Sequence, residues 1–380
     1  MGPSKTAIAL SAIMTLAACG DDSDAPAPAP AEAAPGQGEP TATAAAAAAE
    51  AAEAVAPKAK PPAPQADVGF MGKPEAARMK YMREAAVTAI RRGSGGRSLS
   101  FKLTFHDGSH GYFKPEQSFS GAHWYAELAA YHIDRALGLG RVPPVVARRM
   151  EWRRLKSNAK GDKRVQEIKV GDDGMVRGAL VHWIDEKLGN AKTPPGWESW
   201  VRVTNYPAQG TTPFQRPALY TAALDVARAR RKSGRPQETY YKSVPEPGRE
   251  GLPAELSDML VLDYLTHNID RWGGENVNLL TLGKGGPLIF LDNGAGFFHG
   301  PDRQGLMEDR LKVQQCFRRN TLDALEKLDV EALGKAMAAD PLGPFLDAKL
   351  LAGLEVRRRA LLDRATAMMR THGEDAVLKW

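Results

Sequence analysis

Two stretches of the chain set an aspartate directly beside apolar residues: HNIDRWGGENVNLL at 267–280 and FLDNGAGF at 290–297. Asp270 follows a run that reads as a buried helix, ELSDMLVLDYLTHNIDR, and Asp292 follows one that reads as a buried strand. Between them VNLLTL, GKGG and PLIFL (277–291) form a hairpin pattern. It returns the chain, so both acidic loops open on one edge. Two carboxylates at such an edge can hold a divalent cation and supply a proton-accepting site. Asn276, six residues after Asp270, offers a further oxygen ligand.

This order of Asp, loop, Asn, hairpin and Asp suits phosphoryl transfer. There one Asp accepts a hydroxyl proton, and the Asn and the second Asp hold metal. Such chemistry also needs a cation on the nucleotide phosphates. Lys114 ends the strand pattern HGYFKP, which pairs through the HDGS turn with LSFKLTF (99–105). It is placed to reach α- and β-phosphates. Glu127 lies on the helix that follows, beside Trp124, Ala130 and Tyr131, where a carboxylate is costly without a cation. Lys114 is its natural partner. RGSGGRS (92–98) supplies a glycine-rich stretch, with Gly95 and Gly96 placed for nucleotide binding. Taken singly, each piece has a plainer reading. FKP is then an edge strand with a solvated Lys, Glu127 a surface residue, DNG a turn and RGSGGR a loop. Together and in order they are much harder to obtain by accident.

The elements around these residues read as an α+β domain of two lobes, a protein-kinase-like fold over 67–380. The small β-rich N-lobe (about 67–186) carries one key helix, and the C-lobe (about 187–380) is mainly helical. A helix is expected over PEAARMKYMREAAVTAIRR (74–92), and another from a Ser120 cap to Gly138 or Gly140. Strands are expected over 142–152 and 175–186, a helix over YTAALDVARARR, and helices again from about Leu311. Residues 187–252 are rich in Pro and Gly and read as irregular.

Of 380 residues, 43% are hydrophobic and 25% charged, which suits a globular protein with a sizeable core. The net charge of +6 is spread without a basic stripe alternating with aromatics, so nucleic acid is not the expected partner. The N-terminus reads as a targeting segment. TAIALSAIMTL is too short to span a bilayer, and LAAC ends at Cys19 just before a polar run. That pattern resembles a bacterial lipobox, with Cys19 lipidated and the protein anchored to an envelope membrane on its extracytoplasmic side. The alternative is ordinary secretory cleavage near a Cys. Gly20 stands where Asp would favour inner-membrane retention, so the outer membrane is favoured. Residues 20–66, rich in Ala and Pro, read as a tether. Cys316 then has no intramolecular partner and reads as a buried small hydrophobe, so no disulfide scaffold is expected. The eight histidines show no zinc spacing, and no G-x-S-x-G points to a serine hydrolase.

YFKP, AELAAYHIDRALGLGRVPPVVARR, LDYLTHNIDR, PLIFLDNGAGFFHG and VQQCFRR together resemble the four-jointed branch of the secretory-pathway (Golgi) kinases, over most of 99–325. Members of that family phosphorylate secreted proteins, some of them glycans, using ATP with Mn²⁺ or Mg²⁺. The resemblance implies that Lys114 contacts the phosphates and pairs with Glu127. It implies further that Asp270 is the catalytic base and Asp292 a metal ligand. The acceptor would be an exported protein or a glycan. The chain departs from the pattern in two respects, and its expected setting adds a physical problem. The step from Asp270 to Asn276 is one residue longer than in the usual loop, so Glu275 or Asn278 is an alternative ligand. The animal family is rich in disulfides, and ATP is scarce outside the cytoplasm. The rival readings are a pseudokinase acting as an envelope scaffold and a kinase of lipids or small molecules.

Overall fold

The computed structural model describes residues 69–380 apart from 95, 120, 192, 195, 205–211, 215–242, 273–277 and 299–304. The Cys19 segment, the tether, Gly95, the Ser120 cap, the helix expected at YTAALDVARARR and Asn276 lie outside the described residues.

A five-stranded antiparallel sheet has the order β1-β2-β3-β5-β4. Its strands are β1 (Val87–Arg92), β2 (Phe101–Phe105), β3 (His110–Pro115), β4 (Val145–Glu151) and β5 (Met175–His182). Burial alternates along β2 and β3, as a period of two requires. Phe101, Leu103, Phe105 and Phe113 fill a core on one face, with Met82 from helix α1 (Ala76–Glu84). Ala179, Val181, Val145 and Ala147 face the other way, toward helix α2 (Trp124–Ala136). Lys114 pairs in register with Ala179 and so lies on the α2 side.

The single helix expected over 74–92 is a helix followed by a strand. α1 stops at Glu84, and Ala85 is already extended (ψ 139°). Val87, Thr88 and Ile90 are β-branched and fit a pleated surface better than a helix. They pair with β2, with Val87 opposite Phe105 and Arg92 opposite Phe101. Arg148 holds the junction from β4, donating to Met82 O (2.6 Å) and Ala85 O (2.5 Å), which answers carbonyls left free where α1 ends.

After the sheet the chain becomes mostly helical. α3 (Trp152–Ser157) lies in the β4–β5 connection, and β6 (Leu188–Asn190) joins β7 (Leu280–Leu282) and β8 (Leu288–Ile289) in a small sheet. Helix α4 (Leu252–Thr266) is buried on nearly all sides, the signature of a central core helix. Around it stand α5 (Leu306–Val313), α6 (Arg319–Lys327), α7 (Val330–Ala338), α8 (Ala348–His372) and α9 (Glu374–Val377). The strands expected at 142–152 and 175–186, the 277–291 hairpin and the helical C-terminal part are all present, with somewhat shorter boundaries. Among the described residues Cys316 is buried and forms no disulfide. Among the described residues no helix is long and apolar enough to cross a membrane.

Candidate active site

β3, α2 and the loop after β8 meet at one cation. Lys114 Nζ donates to Glu127 Oε1 at 2.5 Å and to Asp292 Oδ1 at 2.7 Å. The Glu127 side chain is 2% exposed, whereas that of Asp292 is 54% exposed and open to a ligand. Burial alone would lower the pKa of Lys114, but the charges of Asp292 and Glu127 outweigh it and hold the ammonium well above its ordinary value. Lys114 in turn draws the Asp292 carboxyl below the usual range. α2 is also tied to the Asp292 loop through its backbone. His123 N–H, at the helix start, donates to Gly294 O (2.7 Å). A Cβ on Gly294 would stand 3.3 Å from Glu127 Oε1, so glycine permits this close approach.

A cavity of about 550 Å³ opens over this cluster, within the usual range for a small-molecule site. Its walls include Gly96, Tyr112, Lys114, Trp183, Leu280 and Asp292. Gly96 is left-handed (φ 77°), a backbone state that favours glycine. Asn278, weighed above as an alternative ligand, lines the same cavity.

Asp270 lies on the loop after α4 and is exposed. His267 ends α4 in the left-handed region (φ 53°), and Asn268 N–H reaches back to Asp263 O at 2.8 Å. Asp270 N–H donates to Asn268 Oδ1 (3.2 Å), which turns the loop outward. Although the residue is exposed as a whole, partial desolvation of its carboxyl and then the charge of Asp292 raise that carboxyl above the ordinary aspartate value. Each carboxylate is therefore within electrostatic reach of the other. Asp292 itself is left-handed (φ 60°), strain of a kind that accumulates at functional loops.

Arg271 was not singled out from the sequence, and it is what joins the two loops. Its guanidinium is fully buried and donates from Nε to both Asp263 oxygens (2.8 and 2.9 Å). Nη1 donates to Leu291 O (2.5 Å) and Nη2 to Asn293 Oδ1 (2.6 Å), on either side of Asp292. One side chain thus ties the Asp270 loop, α4 and the Asp292 loop together. Phe297 N–H to Thr266 O (2.5 Å) adds a backbone link between the same segments. Arg310 supports the Asp270 loop from α5 through Ile269 O (3.4 Å). The sequence signal was present, since a buried Asp one helical turn before a loop needs a cation and Arg271 follows Asp270 directly.

Asp292 and Asn278, both in the wall of the cavity, offer the hard oxygen donors that Mn²⁺ or Mg²⁺ requires. Among the described residues no group of three His, Cys, Asp or Glu side chains could hold a metal ion. The donor set therefore fits an ion shared with phosphate oxygens and water, the usual state of Mg²⁺ in kinase sites.

A sheet with a Lys–Glu pair to its helix, a glycine-rich loop and two aspartate loops below defines a kinase-like fold. The family model of the four-jointed box protein middle domain matches residues 74–340. The chain belongs to that family. It is 23% identical over 339 residues to the extracellular serine/threonine protein kinase FAM20C of Homo sapiens, covering 77% of this chain and 54% of that protein. It is 24% identical over 287 residues to the pseudokinase FAM20A of Mus musculus (67% and 48% covered). It is 27% identical over 339 residues to the glycosaminoglycan xylosylkinase of Danio rerio (80% and 77%). The chain spans about half the length of the first two, as the 54% and 48% show. The Golgi casein kinase solved with Mn/ADP bound has the same fold, with a TM-score of 0.56 at 17% identity over 80% of this chain and 78% of that one.

Proposed function

We propose that this protein transfers the γ-phosphoryl group of ATP to a hydroxyl of an exported protein or a glycan. The observation that carries the reading is Lys114, shared between buried Glu127 and open Asp292 in the wall of a cavity roofed by the glycine-rich loop. Relatives that bear the names of a protein kinase and a xylosylkinase support both acceptor classes.

In this mechanism Lys114 meets the nucleotide phosphates, and Glu127 fixes where its ammonium stands. Asp270 accepts the proton of the acceptor hydroxyl as the oxygen attacks phosphorus. The upward shift of its carboxyl makes it a better base. Asp292, with Asn276 or Asn278, would hold Mn²⁺ or Mg²⁺, which when bound neutralises charge on the phosphates. Catalysis is then mainly positioning and charge stabilisation.

Calorimetric titration of the full chain with ATP, with and without Mn²⁺, tests the site. Wild type is expected to bind only with metal. Asp292→Ala is expected to bind about 10–100-fold more weakly, about 1.4–2.7 kcal/mol, while keeping its fold. Equal affinity in a folded variant sinks the assignment.

A pseudokinase is the second reading, favoured by the likeness to FAM20A. Against it stands the presence of Lys114, Glu127, Asp270 and Asp292 together. We place the protein on the extracytoplasmic side of a bacterial envelope membrane, held by a lipid on Cys19. LAAC followed by a polar run supports this. The expected mature N-terminal peptide starts at an acylated Cys19, and an unmodified Cys19 in its mass spectrum excludes the anchor.

A further inference from the structure

The glycine-rich loop between β1 and β2 is held from behind by the β4–β5 connection. Arg164 Nη1 donates to Gly96 O (3.0 Å) and to Ser98 O (2.9 Å). Arg164 is itself fixed by a forked pair with Asp162, Nε to Oδ1 at 3.0 Å and Nη2 to Oδ2 at 2.7 Å. The Asp162 side chain is 6% exposed and also takes Arg92 Nη1 (2.7 Å), at the end of β1. The exit of the loop is fixed separately. Gln117, three residues after Lys114 and buried, accepts from Leu99 N–H (3.0 Å) and donates to Leu99 O (3.2 Å). Arg97 pairs with Glu167 as well, but it is more than half exposed and adds little stability.

Gly96 lines two cavities, the one over Lys114 and a separate groove that also contains Arg97 and Arg164. Arg164 therefore pulls on the loop from the side away from Lys114. Across a trans peptide the C=O and the next N–H point in opposite directions. Holding the Gly96 carbonyl toward Arg164 fixes the plane of the peptide that Gly96 shares with Arg97, and Gly96 itself lines the cavity over Lys114, where phosphate oxygens would sit. A glycine-rich loop without such a hold loses more backbone freedom when it closes on a ligand.

We propose that Arg164, held by Asp162, is a positioning residue that presets the glycine-rich loop for the nucleotide phosphates. This role rests on the nucleotide reading of the cavity above. It acts through the loop backbone, so its signature is local order and ligand affinity rather than overall stability.

The test compares the full chain with Arg164→Gln, Arg164→Lys and, as a control with no contact to the loop carbonyls, Gln166→Ala. Hydrogen exchange is measured without nucleotide, and Mn·ADP affinity by calorimetry. Arg164→Gln is expected to speed exchange of the amides at 96–99 about tenfold with α4 unchanged, and to weaken Mn·ADP about five- to tenfold. Arg164→Lys should recover part of both, and Gln166→Ala should match wild type. Unchanged loop exchange in Arg164→Gln overturns the proposal, as does faster exchange with unchanged affinity. Failure of the wild type to bind Mn·ADP overturns the nucleotide reading and the role given to Arg164 with it. It is distinguishable from a failed loop hold because the exchange arm needs no nucleotide.

Discussion

Asp270→Asn is expected to lower phosphoryl transfer by about 10²–10⁴-fold, the usual worth of a positioned general base, while Mn·ATP affinity changes by less than about threefold. The substitution keeps size and the backbone bond from Asp270 N–H to Asn268 Oδ1. It removes only the basic oxygen. Asp292 pushes the Asp270 carboxyl up, so the two charges repel. Losing one of them leaves Asp292 at least as good a metal ligand. A parallel loss of affinity and turnover would show that Asp270 holds ligand rather than a proton. Steady-state turnover beside calorimetric affinity separates the two.

Arg271→Met is expected to destabilise the fold by about 3–5 kcal/mol, the cost of removing one member of a buried pair. That corresponds to a fall in Tm on the order of 10 °C. The guanidinium is fully buried, and Asp263 is nearly so. Burial already pushes the Asp263 carboxyl up in spite of Arg271. Without Arg271 that carboxyl keeps, among the described residues, the hydrogen bond from Trp272 Nε1 (3.2 Å) and the more distant charge of Arg310, and Leu291 O and Asn293 Oδ1 lose the Arg271 donor. Each buried group left unpaired adds to the cost. The double variant Arg271→Met, Asp263→Leu should recover much of the stability, since a hydrophobic pair avoids desolvating two charges. It should not recover activity, because the tie between the two aspartate loops is gone. A thermal scan of the three proteins, with ADP release measured on each, checks both halves. An Arg271→Met chain as stable as wild type would contradict the account.

The sequence carried the site further than it carried the frame around it. Asp270 and Asp292 were legible because local signals bracket them: an apolar helix, a hairpin with its GKGG turn and an apolar strand. Lys114 and Glu127 were legible for the same reason, one at the end of an alternating strand and one on an apolar helix. The break at Glu84 was not. The run MREAAVTAI (82–90) has a composition that suits a helix, and only pairing with β2, beyond the glycine-rich stretch, makes Val87–Arg92 a strand. The hold of Arg164 on Gly96 spans 68 residues, and no local pattern marks such a contact. Arg271 stood inside a quoted motif, yet its partners Asp263, Leu291 and Asn293 come from three segments that only the fold brings together.

The central claim is that the cavity transfers phosphate, and the most direct test is the release of ADP from Mn·ATP by the full chain beside Asp270→Asn. Transfer of γ-labelled phosphate is followed at the same time into exported proteins and glycans. The account predicts metal-dependent ADP release with label in one of those fractions, and loss of both in Asp270→Asn. Tight Mn·ATP binding with no more ADP from wild type than from Asp270→Asn would contradict it, and would make the cleft a binding module.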